Sequence, residues 1–450
     1  RRGRHMSSFT VEANRFQTPT PDHLEAGRVV IAVVDGEITA VERAGTESAQ
    51  ALAEASADHR VLGDNQVLTP GFIDLHLHAP QWQQNGTALD LPLDEWLFTY
   101  TFPLEASFAD RAVAEAVYPD LVATLLGHGT TTAAYLSSVH DEATAILAET
   151  CVAQGQRAFV GRVAMDHPTG TPDFYRDHDA VSGIDASRRS ITDIAAIDAG
   201  RGLVRPIITP RFAPACTDEM LAGLGRLAEE TGTLVQTHCS ESDWEHNYAF
   251  ERFGTSDTEA LDAFGLLREH TLLAHANHVR PSDIDLIAER GAVIAHCPIS
   301  NAYFANAVLP LPDALARGAR VGLATDIGAG VRVGVFQQIH DAVTFSRIRQ
   351  DGVDARKDPD ARGVPDAAID TVTGFWLATA GAAEAAGLPV GLLEPGRRFD
   401  AVVFDLDAPG GVIRHLALDD EARRFEKLVR LAGPHDIAEV WVDGVSVHRR

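Results

Sequence analysis

Between residues 67 and 326 the chain alternates short apolar, β-rich runs with helix-like stretches, and this alternation restricts the fold more than any other feature. Strand candidates fall at 67–78, 130–137, 158–165, 204–212, 234–239, 271–275, 292–297 and 320–326. Stretches such as 112–126, 218–231 and 281–290 separate them with helical periodicity. Eight strands alternating with helices predict an α/β fold built on a closed (β/α)8 barrel of the TIM type. A doubly wound open sheet is the structural alternative. It is disfavoured because no Gly-X-Gly-X-X-Gly follows the first strand.

The two ends read differently. Residues 29–41 give a strand, an Asp35-Gly36 turn and a second strand. Residues 399–404 read as a strand, and 438–447 as a hairpin turning at Asp443-Gly444. The shared character predicts one small β-sandwich built from both termini, residues 6–69 with 390–450, beside a barrel domain at 70–389. Arg1 to His5 read as a tag remnant ahead of Met6. The polar, Gly- and Pro-containing stretch 351–365 reads as a mobile loop.

Composition narrows the function. The chain has 450 residues, 45% of them hydrophobic, enough for a large core. A formal net charge of −26 repels a phosphate backbone and argues against a nucleic-acid partner. No apolar run has the length of a membrane span, and no secretory signal is visible. Cys151, Cys216, Cys239 and Cys297 form no Cys-X-X-Cys pair, which suits reduced thiols in a cytoplasmic protein.

In a barrel of this type, catalytic groups sit at the C-terminal ends of the strands. Strand one runs into His76 and His78, whose i, i+2 spacing points both imidazoles to one side. Strand five ends in His238, strand six in His275 and strand eight in Asp326. Each alone has a structural explanation, a buried hydrogen-bonded imidazole or a turn cap. Together at four strand ends they offer histidines and a carboxylate suited to Zn²⁺. Glu241 follows His238 by three residues, where a base for an activated water and an acid for a leaving group are needed. His296 also ends a strand and reads as a supporting residue. His128, His140, His167, His246, His270 and His278 lack strand-end placement and read as structural or surface residues.

These motifs resemble the amidohydrolase superfamily over nearly the whole chain. The resemblance rests on Pro-Gly-Phe-Ile-Asp-Leu-His-Leu-His at 70–78 and Gln-Thr-His-Cys-Ser-Glu at 236–241. It also rests on His-Cys-Pro-Ile-Ser-Asn at 296–301 and Thr325-Asp326. Phe-Asp-Ala-Val-Val at 399–403 and Val-Asp-Gly at 442–444 resemble its companion β-sandwich. Two-metal members usually bridge their ions with a carboxylated lysine after strand four. The only lysines here are Lys357 and Lys427, and strand four ends in Thr209-Pro210-Arg211-Phe212. The resemblance therefore implies the one-metal deaminase branch. It implies one Zn²⁺ per chain, with Fe²⁺ as the alternative, held by His76, His78, His238 and Asp326. His275 then stands beside the activated water, and Glu241, His275 and Asp326 are the catalytic residues.

A narrower resemblance is to the guanine deaminase family. His-Ala-Pro-Gln at 78–81 and Trp-Leu-Phe-Thr-Tyr-Thr-Phe-Pro-Leu-Glu at 96–105 carry it, with Thr-Pro-Arg-Phe-Ala-Pro at 209–214 and Phe-Glu-Lys-Leu-Val-Arg at 425–430. It implies hydrolysis of guanine to xanthine and ammonia, a purine-base substrate and a homodimer. Val-Arg-Val-Gly at 331–334 departs from the small polar and aromatic residues expected after Asp326. The chemistry of guanine agrees independently. Its O6 and N7 acceptors match an arginine fork, offered by Arg211, and Phe212 beside it suits a flat ring. Gln81 can donate and accept at once, as the ring's N–H and N: positions require. A deaminase of a pterin, another aminopurine or a triazine is the nearest alternative. A two-metal hydrolase is the next, and a non-catalytic scaffold the most distant.

Overall fold

Eight parallel segments build the barrel in the computed structural model, which describes residues 8–450. The expected tag remnant, Arg1 to His5, lies outside the described residues. The barrel strands, taken as one to eight, are Phe72–His78, Thr130–Leu136, Arg157–Gly161, Val204–Pro206, Gln236–Cys239, Leu272–His275, Val293–His296 and Arg320–Leu323. Strands one to four pair in parallel order, and so do five to eight. An isolated parallel bridge between Ile208 and Val235 joins the halves on one side. On the other, the Asp326 amide donates to the His76 carbonyl at 2.9 Å and the His78 amide to the Ile327 carbonyl at 2.8 Å. The sheet is thereby closed. Strand one is buried along its whole length, as a strand covered on both faces must be, which is why it reads as an apolar run.

The stretch 67–78 is not one strand. Gln66–Pro70 belongs to a different sheet, and the chain crosses into the barrel at Gly71. Pro70 has no amide hydrogen, so it ends a ladder readily. A Cβ on Gly71 would lie 2.1 Å from Thr131 Oγ1, so the close approach admits only glycine. The expected strand 204–212 is also broken, into Val204–Pro206 and Thr209–Pro210, each ending in a proline.

Helices occupy the intervals as expected. Asp218–Thr231 is capped by the Thr217 side chain, which accepts from the Met220 amide, and it stops at a left-handed Gly232. Arg111–Gly127 and Pro281–Arg290 are the others predicted by periodicity. Within the polar stretch 351–365, Pro359–Arg362 forms one short exposed helical turn.

Strands from both ends of the chain form one eight-stranded sheet: Ser8–Thr20, His23–Val34, Glu37–Arg43, His59–Val61, Gln66–Pro70, Ala401–Asp405, Ile437–Val442 and Val445–Arg449. Both hairpins turn where the sequence places them. Asp35 and Gly36 have φ of 50° and 77°, and Asp443 and Gly444 have 53° and 75°, the left-handed pairs of a type I′ turn. The sheet folds over on itself, so that the Phe9 ring meets Phe399 at 5.5 Å and Trp441 at 5.1 Å across a common core with Leu68 and Val403.

One buried ion pair fastens this sheet to the barrel. Arg157, at the start of strand three, donates through Nε and Nη2 to the two Asp400 carboxylate oxygens at 2.9 and 3.1 Å. Asp400 is 1% exposed, its carboxylate also accepts from the Asp443 amide, and its carbonyl accepts from the Gly71 amide. Removing one member of such a pair strands the other charge. Asp400→Ala should therefore lower the unfolding free energy by about 3–5 kcal/mol. Urea titration reads this directly, and an unshifted midpoint would show that the pair contributes nothing.

Candidate active site

The C-terminal ends of strands one, five, six and eight converge on one point. His76, His78, His238 and Asp326 are all buried, and their ligand atoms lie within 4.8 Å of one another. His76 Nε2 is 3.2 Å and His78 Nε2 3.5 Å from Asp326 Oδ1, and His78 Nε2 is 3.1 Å from His238 Nε2. A zinc-type ion with ligands at about 2.0–2.2 Å has tetrahedral edges of about 3.3–3.6 Å. The observed separations match such a set. His238 Nδ1 donates to the Arg211 carbonyl at 2.6 Å, which leaves Nε2 its lone pair. His76 Nε2 is buried with no hydrogen-bond partner, an orphan that a central cation would satisfy. Burial first, and neighbouring imidazoles second, hold the His78 and His238 pKa values well below the ordinary range, so both stay neutral and able to ligate. Burial pushes Asp326 up, but its close contacts with the surrounding imidazoles, His76 foremost, outweigh this and draw its pKa down. These four residues fit a single zinc-type ion.

A second group, Glu241, His275 and Asp326, adjoins the first. His275 Nε2 lies 3.6 Å from Glu241 Oε2 and 3.8 Å from Asp326 Oδ2. Its Nδ1 donates to Asn301 Oδ1 at 2.9 Å, so Nε2 faces the two carboxyls with its lone pair. Ser300 Oγ donates to the same Asp326 Oδ2 at 2.6 Å. Burial raises the Glu241 pKa to about 7, with His275 and Arg211 opposing and Asp326 reinforcing the shift. A carboxyl so poised can both take and give a proton near neutral pH.

The backbone at these strand ends is bent sharply to aim the side chains inward. Ser240, His275, Ala276 and Asp326 all have positive φ, at 47°, 73°, 50° and 52°. Such conformations cost of order 1–3 kcal/mol each and persist only where the surroundings enforce them. Around Ser240 two buried carboxyls help to enforce the conformation. Asp257 accepts from the Ser240 amide at 2.9 Å, and Glu245 from the Glu241 amide at 2.7 Å.

Beside this cluster lies a small cavity. Gln81, Arg211 and Phe212 line it together with His78, His238, Glu241 and Asp326, and Leu93, Trp96 and Leu97 supply an apolar wall. Phe212 packs edge-on to His238 and Trp244 at 5.9 and 5.7 Å. The end-on fork of Arg211 is not free, contrary to expectation: Nη1 and Nη2 both donate to Glu105, at 2.6 and 3.0 Å. Only the Nε–H edge and the outer hydrogens remain for a ligand. The divergent stretch 331–334 turns its charge away from the cavity wall, Arg332 pairing with Asp341 at 3.0 Å, while Ala329 lines the cavity.

Sequence reasoning missed four supporting residues. Glu105 anchors Arg211 and Gln81, and Asn301 and Ser300 hold His275 and Asp326. Asp74 accepts from the Thr325 amide and hydroxyl at 3.0 and 2.5 Å, tying strand one to strand eight. All four lie inside the quoted motifs, where no local pattern marks their supporting roles. His296 is buried beside Asn301 at 3.4 Å, in the supporting position expected for it.

A barrel with this strand-end cluster defines a metal-dependent hydrolase of the amidohydrolase class, and the chain belongs to the Amidohydrolase family, whose model matches residues 67–447. Its relatives are more specific. It is 35% identical over 445 residues to a probable guanine deaminase of Schizosaccharomyces pombe, covering 95% of this chain and 81% of that protein. It is 36% identical over 390 residues to a guanine deaminase of Dictyostelium discoideum, covering 85% and 83%. The crystal structure of guanine deaminase from C. acetobutylicum, with guanine bound in the active site, superposes with a TM-score of 0.87 at 28% identity, over 98% of this chain and 100% of that one.

Supporting residues of this kind carry measurable weight. Ser300→Ala, which removes the short hydrogen bond to Asp326, should weaken divalent-metal affinity or activity by roughly 10- to 100-fold. Competition with a chromophoric chelator measures the first, and an unchanged affinity with unchanged activity would make Ser300 a bystander.

Proposed function

We propose that this chain is a guanine deaminase that hydrolyses guanine to xanthine and ammonia. The observation that carries the reading is the juxtaposition, around one small cavity, of the four-residue ligand cluster, Glu241, and the polar pair Gln81 and Arg211. His76, His78, His238 and Asp326 would hold one Zn²⁺ per chain. When bound, the ion supplies Lewis-acid activation of a water molecule. The segment after strand four, Thr209-Pro210-Arg211, offers no lysine to bridge a second ion.

The residues of the chain then divide the work. Phe212 and the apolar wall exclude bulk water and receive the flat ring. Gln81 presents a donor and an acceptor to the N1–C2–N3 face, and Arg211 donates to the 6-oxo edge. Glu241 takes a proton from the attacking water and delivers it to the ring nitrogen beside C2. His275 Nε2 and Asp326 orient the water as its oxygen bonds to C2. Glu241 or Asp326 then carries the remaining proton of that water, from the hydroxyl now on C2, to the exocyclic amine; the C2–N bond breaks, the C2 carbonyl forms, and ammonia departs. Among the described residues no helix is long and apolar enough to cross a membrane. A homodimer, as the family resemblance implies, and a cytoplasmic location, which the four free cysteines suit, complete the proposal.

Ammonia release across a panel of purines, pterins and triazines tests the substrate. Guanine should be preferred, and a pterin or triazine turned over faster would reassign it. Glu241→Gln should keep fold and metal while kcat falls by roughly 10²- to 10⁴-fold; near-full turnover would place the proton carrier elsewhere. Elemental analysis of protein prepared without chelators should find one divalent ion per chain. Two would revive the two-metal alternative.

A further inference from the structure

Arg211 and Gln81 do not stand alone, because both are tied to the same carboxylate. Glu105, on the short helix Phe102–Ala106, is 0% exposed. Its Oε2 accepts from Arg211 Nη1 at 2.6 Å and from the Tyr175 hydroxyl at 2.8 Å. Its Oε1 accepts from Arg211 Nη2 at 3.0 Å and from Gln81 Nε2 at 2.8 Å. Every neighbour is a donor, and together they fill the four acceptor positions of a carboxylate. Phe102 holds one face of the guanidinium, with Cζ 5.0 Å from its ring centroid.

We infer that Glu105 is the positioning residue of the base-reading face, and that it sets the net charge of that face to zero. The inference rests on the guanine reading and adds to it a preference for neutral over anionic purines. Spending the end-on fork of Arg211 on Glu105 turns the guanidinium so that its Nε edge is what a ligand can meet. Gln81 is fixed in the same way: Nε2 donates to Glu105 while Oε1 accepts from the Gly328 amide at 3.2 Å. That leaves one hydrogen and one lone pair for the ring. The electrostatics follow. An unpaired buried guanidinium would favour an anion, whereas the Arg211–Glu105 pair favours a neutral 6-oxo base. Xanthine is a stronger acid than guanine, so the same pair works against retention of an ionised product.

The test uses the metal-loaded protein and Glu105→Gln, with guanine kinetics and calorimetric titration of xanthine and hypoxanthine in mildly alkaline buffer. There xanthine is largely anionic and hypoxanthine largely neutral. In the variant, kcat/KM for guanine should fall by roughly 10- to 150-fold, mainly through KM, as for loss of a charged hydrogen bond. Hypoxanthine should bind more weakly than to the wild type, and xanthine more tightly. Parallel weakening of both ligands, or guanine kinetics within twofold of wild type, overturns the inference. If Glu105→Gln does not fold, Glu105→Asp serves, since it keeps the charge but shortens the reach. Both ligands should then weaken together, and a gain in xanthine affinity overturns the charge argument. A wild-type protein inert towards guanine would instead sink the guanine reading, and the calorimetric comparison would still decide the role of Glu105.

Discussion

The seam between strands one and eight is the constraint on which the rest of this site depends. Strand one supplies two of the clustered histidines and strand eight the aspartate, so the cluster exists only if those strands meet in register. Two backbone hydrogen bonds fix that register, and Asp74 locks it from beneath through the amide and hydroxyl of Thr325. Burial raises the Asp74 pKa to about 7, with hydrogen bonds from Thr325 and His76 pulling the other way. A carboxyl in so dry a place persists because every oxygen is used. Sliding the seam by one residue would turn His76 and His78 to the wrong face of the strand.

From this seam outward, the site is organised by pairing buried charges rather than by exposing them. Asp326 leans on Ser300 and the imidazoles, Arg211 on Glu105, and the strained loop of Glu241 on Asp257 and Glu245. The Arg211–Glu105 pair in particular is costly to bury and costlier to break. The result is a small, dry, apolar-walled cavity in which a few polar groups keep fixed directions, the condition under which hydrogen bonds discriminate between similar rings.

Much of this was legible in the sequence because barrel chemistry sits at strand ends, and strand ends are easy to find. His238, His275 and Asp326 each close an apolar run, and the alternation of strands and helices counts to eight without any structural information. The break at Gly71 was hidden because the apolar character continues through it, although the chain changes sheets there. Glu105 was hidden for a different reason. It comes from a helix between strands one and two and meets Arg211, 106 positions away, through no periodicity that a local pattern could carry. The Arg211 fork was misassigned as free for the same reason, since a residue's unused donors are a property of its neighbours in space. Lys427, in the quoted motif at 425–430, is part of a structural helix whose Phe425 packs against Phe16 and Phe375.

The split of the first strand at Gly71 also bears on the order in which the molecule is assembled. Gln66–Pro70, the segment from which the histidine-bearing strand emerges, finds its antiparallel partner in Ala401–Asp405. The turn at Asp35-Gly36 is likewise pressed against the turn at Asp443-Gly444, where a Cβ on Gly36 would lie 2.2 Å from the Asp443 carbonyl oxygen. During synthesis, the root of the strand bearing His76 and His78 can pair with Ser8–Thr20 early, but its other flank waits for nearly the last segment to leave the ribosome. Completion of the metal cluster's setting is in this sense a late event, and a chain cut short before residue 401 has every ligand but lacks one of the two strands that flank the segment leading into His76 and His78.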